Sequence, residues 1–271
     1  MTVRVVASEV RRLCGVRSTW LVAAGALLVN AAVAAFTAAR LPAGELAVPD
    51  AVRSVAAVVP VLPLPPTVLA AAVLGALAYG NEARWPGLPA SRVTLGRRLG
   101  ALLAKSSVVG AAAVLLAVLT LGVDALAAWL ALPAGVDAST VLDPSGLPAA
   151  PFAAGGPGRP LAVFVVLAAA GGWAGLLITS LVRSAVVGIL LTGALPALLE
   201  PTAGLLLHRT GRNWPVWVRE LMPFQYGLDL VRDAADRTAG ALDGVVVAAL
   251  LAPAALLVLA AVLAQLRRRS L

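Results

Sequence analysis

Long uninterrupted apolar stretches are the feature of this sequence that most constrains its fold. An α-helix needs about 20 residues to cross the ~30 Å hydrocarbon core of a bilayer, and stretches such as 19–39 and 161–182 reach that length. Hydrophobic residues make up 61% of the 271 residues and charged residues only 13%, which leaves too few polar side chains to cover a soluble globule. The sequence therefore predicts an all-α, polytopic membrane protein.

Six stretches qualify as transmembrane helices of a single membrane domain covering residues 1–271. The predicted spans are 19–39, 55–80, 106–130, 161–182, 185–207 and 241–265. Only the second is irregular, because its first half contains Pro60, Pro63, Pro65 and Pro66, and each proline removes a backbone donor. We expect that half to be kinked or partly unwound against neighbouring helices.

The distribution of charge predicts the orientation of these spans. With the N-terminus inside, the cytoplasmic face holds 13 cationic and two acidic residues, and the outer face holds eight and eleven. Because cytoplasmic loops carry an excess of Lys and Arg, both termini are predicted to be cytoplasmic. Topology and attraction to anionic lipid account for the net charge of +8, so membrane lipid is an expected partner and nucleic acid is not.

The N-terminal segment, residues 1–18, is predicted to be an amphipathic helix lying in the inner interface before the first span. Its apolar face consists of Val3, Val6, Val10 and Leu13. Its basic face includes Arg4, Arg11 and Arg12.

Two other segments outside the predicted bilayer have helical signals. Residues 81–105 form the one substantial cytoplasmic loop, in which Ser91 is suited to cap a short basic helix that ends near Gly100. Residues 208–240 lie outside between spans five and six and predict short surface helices, beginning near Pro223.

The residues needed for catalysis are missing from the sequence. Lys105 is the only lysine, and a phosphate-binding P-loop ending there requires glycines where Leu99 and Ala104 stand. One histidine, His208, and one cysteine, Cys14, do not make a metal cluster. The chain is therefore predicted not to be an enzyme and to bind no cofactor itself.

Three acidic residues near the outer ends of spans are Asp124, Glu200 and Asp243. Their positions favour residues of an outer lip over a proton relay at the middle of the membrane. Contact with a cationic or polar substrate on its way out is the alternative role.

Three motifs carry a resemblance to a known family. The chain opens with Ser-Glu-Val-Arg-Arg-Leu at 8–13 and Val-Arg-Ser-Thr-Trp at 16–20. Gly-Ala-Leu-Ala-Tyr-Gly-Asn-Glu-Ala-Arg-Trp at 75–85 is followed by Arg-Arg-Leu at 97–99 and Leu-Ala-Lys at 103–105, and Arg-Glu-Leu-Met-Pro-Phe-Gln-Tyr occupies 219–226. In this order they resemble a type-2 ABC exporter permease, the six-span membrane subunit of a bacterial ABC transporter.

The resemblance implies an export permease of the bacterial inner membrane that forms a substrate path with a second permease copy. A separate cytoplasmic ATP-binding subunit would bind and hydrolyse ATP and dock on the loop between spans two and three. The residues that the resemblance assigns to this coupling are Glu82, Arg84, Trp85, Arg92, Arg97 and Arg98. The chain departs from the family at 85–88, where Trp-Pro-Gly-Leu replaces an aromatic-Gly-Thr sequence.

Two other functions remain open from the sequence. An ion-coupled secondary transporter would place charged residues or paired broken helices at the midplane, and the proline-rich second span is one such broken helix. An immunity or sensor subunit that retains the permease fold without transporting is the other.

Overall fold

The structure is a computed structural model and describes residues 3–42, 44–46, 48–58, 64–84, 95–137 and 158–194. Its helices are α1 (Val3–Gly15), α2 (Arg17–Ala38), α3 (Val48–Val55), α4 (Pro66–Arg84), α5 (Leu95–Ala131), α6 (Gly158–Val182) and α7 (Ala185–Ala194). Its strands are β1 (Gly44–Glu45) and β2 (Val136–Asp137), which pair in parallel with Gly44 opposite Val136. The described part is thus predominantly helical, and its only strands are these two-residue segments.

Three helices of the described part are long and apolar enough to cross a membrane: Arg17–Ala38, Gly100–Ala131 and Pro160–Val182. Two shorter apolar helices, Pro66–Gly80 and Ala185–Ala194, accompany them. These elements indicate a membrane protein, as the apolar stretches predicted. The predicted sixth span, most of the fifth, and the outer segment 208–240 lie outside the described residues.

The second predicted span, 55–80, is not one helix in the structure. Helix α3 ends at Val55, and Ala57 has a left-handed backbone with φ of 48°. Helix α4 begins at Pro66, where a missing N–H is tolerated because the first amides of a helix have no intrahelical acceptor. The predicted span is thus divided between two helices, as its prolines predicted, and Pro60 and Pro63 lie outside the described residues.

Helix α5 corrects the prediction of a loop at 81–105 that contains a separate basic helix. The structure has one helix of 37 residues, which carries the basic residues straight into the third predicted span. Residues 95–105 contain no proline and are rich in Leu, Ala and Arg, so nothing there ends a helix. At ~1.5 Å per residue α5 is about 55 Å long and exceeds a ~30 Å hydrocarbon core.

The core of the bundle lies between α4 and α6, with α5 packed against both. Phe164 and Leu176 on α6 are almost completely buried. Glycines allow this close approach, because a Cβ at Gly75 would overlap the carbonyl oxygen of Gly172, and one at Gly175 would overlap that of Ala72. Small residues serve the same purpose at other helix contacts in membranes.

The helices alternate in direction, which gives the bundle two distinct ends. One end, which we call the basic end, holds α1, the start of α2, the end of α4, the start of α5 and the turn between α6 and α7. At this end Gly80 of α4 packs against Ala185 of α7. The opposite end holds α3 and the β1–β2 pair, which joins the segment after α2 to the segment after α5.

A two-residue turn closes the α6–α7 hairpin at the basic end. Arg183 has a left-handed backbone with φ of 60°, and its N–H donates to the carbonyl oxygen of Thr179 at 2.7 Å, which satisfies a carbonyl at the end of α6. Ser184 precedes α7, and its Oγ accepts from the N–H of Val187 at 3.4 Å. The turn therefore caps both helices and leaves Arg183 exposed.

Candidate functional site

The residues predicted to couple the chain to an ATPase are placed at the basic end as far as the structure describes them. Glu82 and Arg84 belong to the last turn of α4, and Arg97 and Arg98 belong to the first turn of α5. The structure describes the backbone of these four positions. The predicted coupling residues Trp85 and Arg92 lie outside the described residues.

An ion pair fastens α1 to α5 at this end. Lys105 Nζ donates to Glu9 Oε1 at 2.9 Å, and the two side chains are 4% and 17% exposed. The charge distribution predicts both residues on the cytoplasmic side but does not pair them. Two sequence features could have indicated the ion pair: an isolated lysine in an arginine-rich chain, and an acidic residue within a basic helix. Neither feature specifies a partner 96 residues away.

The pairing shows which side of α1 lies against the bundle. Glu9 and Arg12 are only partly exposed and border α5, whereas Val10 of the predicted apolar face is 44% exposed. Arg11 points away from the bundle and is exposed. Helix α1 therefore lies against the protein through its Glu9 side and presents Val10 and Arg11 to the surroundings. Arg4 belongs to the same helix.

A small cavity lies beside the ion pair, where α1, α2, α4 and α5 meet. Its walls include Glu9 and Arg12 of α1, Leu77 of α4, and Lys105 and Val109 of α5. Its volume of about 20 Å³ is enough for one water molecule, and the charged lining supplies the polar partners that such a water requires. The junction thus combines charge and packing from four helices.

The corner between α1 and α2 positions Glu9. Val16 is extended, with φ of −94° and ψ of 122°, and breaks the helix between Gly15 and Arg17. The indole Nε1 of Trp20 then donates to the carbonyl oxygen of Cys14 at 2.7 Å and caps the end of α1. These contacts determine the angle between α1 and α2.

Helix α6 contacts α5 in the same region, around residues 102–106. Trp173 Nε1 donates to the carbonyl oxygen of Ser106 at 2.9 Å, and Gly110 leaves space for the indole ring. Leu102 packs with Leu177 in the same region. Lys105 therefore joins this part of α5 to α1, and Trp173 joins it to α6.

Asp124, a candidate outer-lip residue, is completely buried. It lies within the apolar helix Gly100–Ala131, is 0% exposed, and neither of its carboxylate oxygens has a hydrogen-bond partner in the described part of the chain. Asp124 is thus inside the bundle near the end opposite the basic end, and its role as an outer-lip contact stays a prediction. The other two candidates, Glu200 and Asp243, lie outside the described residues.

No protein-family model, curated protein or solved structure matches this chain. Within the described residues, no three His, Cys, Asp or Glu side chains are grouped so as to hold a metal ion. The features that bear on function are therefore the junction at the basic end and the buried carboxylate near the opposite end.

Proposed function

We propose that this protein is the membrane-spanning permease subunit of an ATP-driven ABC exporter, working with a second permease copy and a separate cytoplasmic ATPase. The carrying observation is that α5 runs unbroken from basic residues at its N-terminus into the membrane-spanning segment. Such a helix offers a partner protein a rigid segment to bind that is continuous with the membrane-spanning bundle. The resemblance of the segments around Glu82 and Arg97 to the permease family assigns that partner as the ATPase.

The length of α5 supports an accessible docking segment. A helix of about 55 Å extends beyond a ~30 Å core even when it is tilted. Trp129, near the C-terminal end of α5, is 59% exposed, and tryptophan favours the membrane interface. With Trp129 at one interface, the segment that carries Arg97 and Arg98 stands outside the other.

The charge at the two ends supports the proposed orientation. Apart from Asp124 inside the bundle, the described residues of the basic end include nine cationic and two acidic residues, and those of the opposite end include three of each. By the positive-inside rule the basic end is cytoplasmic. The proposal therefore places the N-terminus in the cytoplasm of a bacterial cell, and six spans return the C-terminus there.

The test is co-purification of the chain from its native membranes. We expect a subunit that contains a P-loop and hydrolyses ATP, and we expect the charge reversal Arg97→Glu with Arg98→Glu to remove both the subunit and the hydrolysis. The conservative pair Arg97→Lys with Arg98→Lys retains the charge and should retain the complex.

A second control reverses the same amount of charge elsewhere at the basic end. Arg11→Glu with Arg17→Glu alters two exposed residues outside α5 and should leave the ATPase bound. A preparation without any P-loop subunit, or a complex that survives reversal at 97 and 98, contradicts the proposal. Transport that continues without ATP and stops when the proton gradient collapses would instead identify ion-coupled transport, and an ATPase complex without flux would identify a non-transporting subunit.

A further inference from the structure

Asp124 is an acidic side chain in a place where acids are costly. It lies seven residues before the C-terminal end of α5, within the apolar segment Gly100–Ala131, and is completely buried. A carboxylate in an apolar environment requires compensation, by a hydrogen-bond donor, a cation or a bound proton. In the described part of the chain neither of its oxygens receives a hydrogen bond.

Other buried polar side chains lie about one helical turn nearer the basic end than Asp124. Ala26 of α2, Ala70 of α4 and Leu116 of α5 form one apolar cluster. One helical turn further toward the opposite end, on the same helix faces, stand Asn30, Thr67 and Thr120, all 0% exposed. Asp124 follows Thr120 by one more turn on the same face of α5.

This polar layer has spare oxygen atoms and few donors. Asn30 Nδ2 donates to the carbonyl oxygen of Ala26 and Thr120 Oγ1 donates to that of Leu116, so both groups are used within their own helices. Asn30 Oδ1 and Thr67 Oγ1, like the Asp124 oxygens, have no partner in the described part. The layer and Asp124, one turn beyond it, together provide unpartnered carboxylate, amide and hydroxyl oxygens, which is the ligand chemistry of a hard cation.

Among the elements packed against α5, the charged side chains that the structure describes are engaged with other groups or belong to the basic end. Helix α2 has no ionisable residue between Arg17 and Arg40, and the guanidinium of Arg40 lies 4.1 Å from the ring centroid of Phe36. On α3, Arg53 pairs with Asp50 at 3.6 Å, and both side chains are about half exposed. The remaining ionisable residues of α1, α4 and α6 belong to the basic end, except for Arg159 beside the first residue of α6.

We propose that Asp124 anchors a buried binding site for one small monovalent cation, a proton or a sodium ion, with Asn30 and Thr67 as neighbouring oxygen groups. The single carboxylate matches a single positive charge. A large organic cation does not fit, because Asp124 and the three side chains of the layer are all closed to solvent. The site goes beyond the proposed export function and binds its cation whatever drives transport.

The test compares the wild type with Asp124→Asn, which has the shape of the protonated acid but binds no cation. The full-length protein is melted in lipid nanodiscs at increasing pH, in sodium chloride and in choline chloride. In choline we expect the wild-type Tm to fall by several degrees as pH rises, because an uncompensated charge forms inside the bundle. A Tm that sodium restores identifies a sodium site, and one that sodium leaves unchanged identifies a proton site.

Asp124→Asn should lose both dependences, whereas the control Asp50→Asn, which alters an exposed acid, should retain them. If Asp124→Asn does not fold, carbodiimide labelling of the wild type provides the readout, since carbodiimides react with protonated buried carboxyl groups. Peptide mapping should find the label on Asp124, and the labelling should decline with rising pH or with added sodium. Equal pH and sodium responses in wild type and Asp124→Asn, or labelling of Asp124 that neither pH nor sodium alters, would overturn the proposal. Loss of ATPase binding would not affect it.

Discussion

At the scale of single residues, the pair Glu9–Lys105 is the contact on which the basic end depends. It joins the first helix of the chain to the only lysine, and Lys105 is 3% exposed as a residue. A buried ion pair adds little net stability relative to apolar residues, but the removal of one partner leaves the other charge without compensation. The pair therefore matters most for the position of α1 against α5.

Removal of one member should destabilise the protein more than removal of both. Glu9→Gln or Lys105→Met alone is expected to cost about 1–3 kcal/mol, the cost of leaving a partly buried polar group unpaired, and the double variant less than the sum of the two. Thermal or denaturant unfolding in detergent measures the coupling. Arg11→Gln, at an exposed position on the same helix, should be almost neutral. Additive single effects would show that the two charges do not interact.

At the scale of elements, two helix contacts organise the bundle. Helices α4 and α6 meet through glycines whose backbones nearly touch. Helix α5 packs against this pair and extends beyond it as one rod. Because the atoms nearest to Gly75 and Gly175 belong to the backbone, no flexible side chain there could yield to a larger residue.

Adding a single methyl group at the α4–α6 contact should therefore be harmful. Gly175→Ala places its Cβ against the carbonyl oxygen of Ala72 and forces the helices apart, with an expected cost of about 1–3 kcal/mol. Gly25→Ala, in the middle of α2 with nothing within 4 Å, is the matched control. It should be neutral or stabilise the helix by up to ~1 kcal/mol. Similar melting shifts for both variants would argue against the close contact.

At the scale of the whole molecule, the charge asymmetry and the alternating helices define a direction across the membrane. The described helices place α1 and the α6–α7 turn at the same end. The proposed six spans require the C-terminus to be there too. The prediction at this scale is that α1, the α6–α7 turn and the C-terminus lie on the same side of the membrane.

Cysteine accessibility can map the proposed topology directly, because Cys14 is the only cysteine and Cys14→Ser removes it. In that background, Ser145→Cys should react with a membrane-impermeant maleimide on intact cells. Ser184→Cys and Ser270→Cys should react only after the membrane is permeabilised. Labelling of position 184 on intact cells would show that the orientation is the opposite of the one proposed. Outside labelling at 270 with protection at 184 would mean an odd number of spans.

Much of the fold could be predicted from short stretches of sequence. Apolar side chains are costly to expose to water and unpaired backbone groups are costly to expose to lipid, and both costs depend on the residues of a single segment. Helix α2 (Arg17–Ala38) lies within two residues of the predicted 19–39, and α6 ends at Val182 as predicted. The start of α4 at Pro66 follows from the chemistry of proline. The excess of basic residues at one end of the predicted spans is likewise visible in the sequence.

The tertiary structure alone decided which side chains meet. Residues 95–105 continue the third span because α5 has nothing to end it, and Trp173 and Leu177 pack along that stretch. The partner of Lys105, at Glu9, depends on the angle between α1 and α2, and the burial of Asp124 depends on which face of α5 turns inward. Local periodicity gives each helix its faces, but the neighbour of each face is set by packing between segments far apart in the chain. The sequence by itself therefore determined a membrane-embedded helical chain with a basic side. Only the packing placed a part-buried ion pair at one end and, near the other, a buried carboxylate with no hydrogen-bond partner among the described residues.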